Sequence, residues 1–169
     1  GDALDVRWFS VDERMSRLFT VKIRAVSRNL DIDFDAIIAK DAVFSLTTSE
    51  ATKSWRGLVA DMDQVRVDKD GLATYTLTLA PRAVVLTQRK NYRVFQFMSE
   101  LDIVKKLLSE WGVPHRAKAN EAVHKPRKFR VQYGESDFTF ASRMLEDAGI
   151  SFYFEDSGEE TTLVLDDEP

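Results

Sequence analysis

Cysteine is absent from all 169 residues, which removes disulfides and thiolate metal sites from consideration. Histidine occurs twice, as His115 and His124, and neither stands in a spacing that would set two imidazoles on one helix face. The seven glycines fall mostly at turns. They build neither a G-x-G-x-x-G fingerprint nor a G-x-x-x-x-G-K-[ST] loop, so no segment is shaped to cradle a nucleotide phosphate. Apolar runs fall well short of the roughly 20 residues of a membrane helix, and no charged-then-apolar leader opens the sequence. Neither a metal, a cofactor nor stable membrane insertion is expected. A cationic excess is missing as well: 24 basic residues stand against 28 acidic ones, a net charge of −4, which argues against a nucleic-acid partner. The one basic run, His124-Lys-Pro-Arg-Lys-Phe-Arg130, reads as the solvated start of a strand.

What is present is the material of a folded, sheet-rich protein. Hydrophobic residues at 44% and charged residues at 31% argue against disorder, and eleven Phe, four Tyr and three Trp suit sheet faces and interfaces. Leu4–Phe9 and Leu18–Val26 carry strand patterns. In the second, Phe19, Val21 and Ile23 alternate with Thr20, Lys22 and Arg24, the period of a half-buried strand. Val43–Thr48, Trp55–Ala60 and Leu72–Leu79 continue the series, Asp33–Ala39 fits a short helical turn, and Asp68-Lys-Asp-Gly71 is a hairpin turn. After Pro81 the character changes. Ala83–Leu86 and Tyr92–Phe97 lead into a helix capped by Ser99, with Asp102 three residues on, and faced by Ile103, Val104, Leu107, Leu108 and Trp111. Gly112 and Pro114 end it. A second helix is capped by Ser136 or Asp137, faced by Phe138, Ala141, Leu145 and Ala148 with Met144 widening the face, and closed by Gly149. As caps, Ser136 and Asp137 together stand for about 1–2 kcal/mol. The expected fold is therefore α+β and mostly β. A small antiparallel β-barrel over residues 1–85 precedes an α+β insertion with two amphipathic helices over residues 86–169. The opening Gly1 and the closing Asp166-Asp-Glu-Pro169 read as cut ends of a longer chain.

Three arrangements carry some chemical suggestion. Glu135 and Asp137, with Glu155 and Asp156, offer carboxylates for a glycosidase pair, against their use in helix caps and turns. Ser99, Asp102 and His115 can be written as a nucleophilic triad, but no G-x-S-x-G elbow surrounds any serine and Ser99 already has a capping task. Phe152, Tyr153 and Phe154 beside Phe129 and Tyr133 could stack bases or sugars, although consecutive strand residues face opposite ways and one side must pack inward. The cap, surface-loop and packing readings are favoured in each case, so the chain is not expected to be an enzyme.

Two phrases carry a family resemblance. The first contains Arg93, Phe95, Ser99, Asp102, Ile103 and Val104 in that order. The second runs Val131-Gln132-Tyr133-Gly-Glu135-Ser136-Asp137 and continues through Arg143-Met-Leu-Glu146 to Gly149-Ile150. With Trp55–Val59 and Tyr75–Pro81 upstream, the chain resembles along nearly its whole length the VgrG spike proteins of type VI secretion and the related baseplate hubs of contractile phage tails. Three positions depart from the pattern: Ala39 stands where the family often has Gly, Gly134 where it often has Asn, and Arg82-Ala-Val where a bulky residue is common.

The resemblance implies a non-enzymatic hub that forms a homotrimer in the full-length protein. Its barrels would form a ring that caps a hexameric inner-tube protein and carries a puncturing needle, with baseplate proteins and delivered effectors as further partners. It also implies assembly in the bacterial cytoplasm, followed by injection without a cleavable signal peptide. A phage-tail or tailocin hub is the nearest alternative, and a peptidoglycan hydrolase or a free-standing binding module are the others. On this reading Arg93, Phe95, Ser99, Asp102, Ile103, Gln132, Tyr133, Glu135, Ser136, Asp137, Arg143 and Gly149 serve the fold.

Overall fold

The computed structural model describes residues 4–168. They form ten strands, two α-helices and one 3-10 segment, divided between two compact units. The first unit holds the described residues through Glu13 together with Leu18–Pro81, and the second holds Arg14–Arg17 and the described residues from Arg82 onward.

The first unit is one antiparallel sheet of β1 (Asp5–Asp12), β2 (Thr20–Ser27), β3 (Asp41–Thr47), β4 (Thr52–Val67) and β5 (Ala73–Ala80) in the order β1-β2-β5-β4-β3. The alternation expected in β2 is present: Val21 and Ala25 are buried while Lys22 and Arg24 face solvent. The sheet curls into a half-barrel. Its two outermost strands approach through the rings of Phe9 and Phe44, 5.0 Å apart, and Phe44 meets Trp55 at 6.1 Å. β4 is far longer than the six-residue run visible in the sequence. Bulges between Val59 and Asp61 and between Gln64 and Arg66 reset its facing twice and so hide a single period. Gly71 takes a φ of 74° in the turn that returns the chain to β5.

Asp33–Ala39 holds the short helical turn expected of it. Ile38 N–H reaches Phe34 O at 2.8 Å, but the turn does not propagate. Its apolar residues Phe34, Ile37 and Ile38 instead cover Met62, Ala73 and Tyr75. Ala39 ends the segment at a φ of 62°, while its N–H donates to Val59 O at 2.8 Å. A left-handed conformation costs an L-residue roughly 1–2 kcal/mol, of which glycine's greater unfolded freedom returns a part. Ala39→Gly is therefore expected to raise the stability of this unit by about 0.5–1 kcal/mol, read as a higher urea midpoint. A lower midpoint would contradict the strain.

In the second unit the 3-10 segment Arg82–Thr87 leads to β6 (Lys90–Met98) and α1 (Glu100–Glu110). β7 (His115–Ala117), β8 (Arg127–Ser136), α2 (Asp137–Ala148), β9 (Ser151–Asp156) and β10 (Thr161–Asp166) follow. β6 pairs with β8 as a two-stranded antiparallel ribbon, and β7-β10-β9 form a small mixed sheet. Leu101, Ile103, Val104, Leu107 and Leu108 of α1 are buried, as their spacing requires. In α2 the buried face is Phe140, Ala141, Met144 and Leu145. Phe138 lies only half-buried and Phe140, which the sequence reading left out, is fully enclosed and stacked on Phe95 at 5.4 Å. Gly112 (φ 62°) and Gly149 (φ 68°) close the helices.

Candidate functional site

The charged side chain most deeply enclosed in the second unit is Asp137, with no exposed surface. Its position follows from local sequence. Ser136 is extended and caps α2, its Oγ accepting from Thr139 N–H at 3.0 Å, so Asp137 becomes the first helical residue with its carboxylate turned inward. The cap is Ser136; Asp137 does not share that task.

Four side chains, from two strands, the C-cap of α1 and a connecting segment, converge on this carboxylate. Oδ1 accepts from Asn91 Nδ2 and from Gln132 Nε2, each at 2.8 Å. Oδ2 accepts from Trp111 Nε1 at 2.8 Å and from Arg89 at 3.1 Å (Nε) and 2.8 Å (Nη2). Asp137 N–H in turn donates to Arg89 O at 3.1 Å. Burial pushes the carboxyl pKa up, but the donors from Gln132, Trp111, Asn91 and Arg89 outweigh it and bring the group down from 3.8 to about 2. A carboxyl depressed on folding adds stability above its unfolded value and loses that contribution as pH falls through the folded value. About 2 kcal/mol should therefore disappear between roughly pH 4 and pH 2. Urea midpoints measured across that window should fall for the wild type and much less for Asp137→Asn. Parallel slopes would contradict the assignment.

The other residues of the two phrases surround this carboxylate or lie at the far end of the ribbon. Arg93 makes a bidentate pair with Glu110 at 2.7 and 2.8 Å, which holds Glu110 below the usual carboxylate range, and its guanidinium sits over Phe95. Glu135 accepts from Arg143 Nη2 at 2.5 Å, and Arg143 also donates to Val131 O. Ser99 and Asp102 form a reciprocal capping box, with Asp102 N–H donating to Ser99 Oγ at 3.1 Å, and Ile103 behind them is buried. Gly134 has a φ of 64°, a conformation that the family's Asn also tolerates. Tyr133 is the exception, since it stands on the outer face of the ribbon.

Sequence reasoning missed Arg89, Asn91 and Trp111 as partners of Asp137, and it missed a second buried carboxylate. Glu100, at the first position of α1, accepts from Arg127 Nε at 3.0 Å and from Arg130. Burial raises its pKa, but the Arg130 hydrogen bond and those that follow bring it below the ordinary range.

None of the arrangements considered for catalysis is assembled. A general acid needs a raised pKa, whereas Asp137 is held ionised and Glu135 is committed to Arg143. Ser99 Oγ donates to Asp102 at 2.6 Å, and His115 Nδ1 lies 2.8 Å from Val113 O. Of the aromatic platform, Phe152 is buried against Phe138 and Phe154, while Phe129 and Tyr133 lie on the ribbon. Among the described residues no group of three or more His, Cys, Asp or Glu is placed to hold a metal ion.

The family model for the phage tail baseplate hub (GPD) matches residues 12–169. The chain is 33% identical over 167 residues to the type VI secretion system spike protein VgrG4b of Pseudomonas aeruginosa, covering 98% of this chain and 20% of that protein. It is 29% identical over 168 residues to VgrG1b of the same organism, covering 99% and 22% respectively. The chain thus spans about a fifth of the length of these curated relatives. Among solved structures, the E. coli c3393 protein superposes with a TM-score of 0.88 at 26% identity, over 99% of this chain and 47% of that one. That protein is described as a type VI secretion component with structural similarity to the T4 tail proteins gp27 and gp5. With the family model spanning nearly the whole chain and the VgrG spike proteins similar to it from end to end, the chain belongs to the phage tail baseplate hub family.

Proposed function

We propose that the chain is part of a non-enzymatic hub at the tip of a contractile injection machine of the type VI secretion kind. The observation that carries this reading is the likeness to c3393 along essentially the whole chain. The geometry supports it. The buried carboxylates Asp137 and Glu100 are each held below the ordinary carboxylate range by several donors, which suits a part that transmits force and ill suits an acid–base site. In the full-length protein three copies would form the hub. It would seat on a hexameric inner-tube protein, join baseplate proteins and carry effectors, assembling in the bacterial cytoplasm and leaving without a cleavable signal. A phage-tail or tailocin hub uses the same parts and is the second reading.

Deleting the gene and measuring tube protein in the culture supernatant tests the proposal. Loss of tube release, restored by the full-length wild-type gene, is expected. Undiminished release in a strain with no other spike gene would contradict it.

A further inference from the structure

The β6–β8 ribbon buries one face and leaves the other bare. On the inner face Arg93 is paired across from Gln132 and Phe95 from Arg130, and these residues make the contacts described above. On the outer face the opposed pairs are Tyr92 with Tyr133, Val94 with Val131, and Gln96 with Phe129. Tyr92 is 72% exposed, Tyr133 79%, Val94 62% and Phe129 57%. A ladder in which five of the six side chains are aromatic or β-branched is what a sheet presents to a packed layer, and among the described residues no layer covers it.

Phe97 adds an independent sign. It breaks the strand alternation with a φ of 54° and is 75% exposed. A bulky residue held left-handed is strained. Strain kept at an exposed aromatic points to a contact made outside the described residues.

We infer that this outer face is the surface on which a second copy of the same protein docks. The size fits. Four largely exposed aromatic rings and two valines present roughly 700 Å², against about 800 Å² contributed by each partner in a standard interface. Charge fits as well. Lys90 and Lys128, at opposite ends of the ribbon, are exposed on a chain whose net charge is −4. Another copy offers exposed Val65 and Val67 in the same strand as the exposed acids Asp61 and Asp63. Contact between two different surfaces of this kind is what a closed ring of three requires. The inference rests on the hub reading in needing copies to assemble, and it goes beyond that reading in naming the face.

The test places a photo-crosslinking benzoylphenylalanine at Tyr133 in the full-length protein. Irradiation is expected to give products of two and three chain masses on a denaturing gel, containing this protein alone. Products of one chain mass, a crosslink to a different protein, or no product would overturn the inference. A second arm compares native masses of the wild type and Tyr92→Glu/Tyr133→Glu. These side chains are exposed, so the variant should keep the wild-type circular dichroism and melting temperature while its association weakens at least tenfold. A wild type of three copies with an unchanged variant would overturn the docking face and leave the hub reading intact. A wild type that is a single copy would overturn both.

Discussion

Asp137→Ala is expected to destabilise the second unit by roughly 3–5 kcal/mol, the range for removing one partner of a buried, hydrogen-bonded charge pair. The substitution does more than delete an anion. It leaves the indole N–H of Trp111 and the amide of Asn91 without the acceptor they aim at. It also takes one of two acceptors from Gln132 Nε2, which keeps Glu135 O, and the closer of two carboxylates from Arg89, which keeps Glu110 at 3.6 Å. Gln132 is already short of a partner at Oε1, so it has little capacity to re-pair. The neighbouring Ser136→Ala removes only the cap to Thr139 N–H and should cost about 1 kcal/mol. Urea denaturation of the two single variants separates these roles. Equal losses would mean that both residues act as caps and that the buried network contributes little.

Gly57→Ala is the second large effect, expected at about 3 kcal/mol and confined to the first unit. Gly57 lies in β4 and is not there for a left-handed φ. A Cβ at this position would stand 1.9 Å from Ala80 O, 2.7 Å from its carbonyl carbon and 3.1 Å from Pro81 Cα. All three are backbone atoms at the end of β5, so no rotamer change relieves the overlap and the β4–β5 pairing must move. By contrast, a Cβ on Gly71 would meet nothing within 4 Å, and that position is constrained by its φ of 74° alone. A Gly57→Ala protein with an unaltered unfolding midpoint would contradict the close approach of these strands.

The helices and their caps were legible because the signals are local. Ser99 with Asp102, Ser136 ahead of its helix, and Gly112 and Gly149 behind theirs all lie within one turn of what they control. The Gln132–Asp137 phrase was legible as a pattern, but its meaning was not. Its partners Arg89 and Asn91 come from well over forty residues upstream and Trp111 from the end of another helix, and only the β6–β8 register combined with the packing of α1 on α2 brings them together. Glu100 looked like an ordinary first-turn acid for the same reason: Arg127 and Arg130 reach it from the opposite strand. Phe140 was passed over because the face was counted from Phe138, two residues off the line of closest packing. The full length of β4 was hidden by its two bulges. The departures at Ala39 and Gly134 did carry structural information, since both positions have a positive φ.

The central claim, a hub built from identical copies, is tested most directly by the native mass of the full-length protein in solution. Light scattering after size exclusion should give three chain masses at micromolar concentration, steady across dilution. A mass of one or two chains would contradict the account.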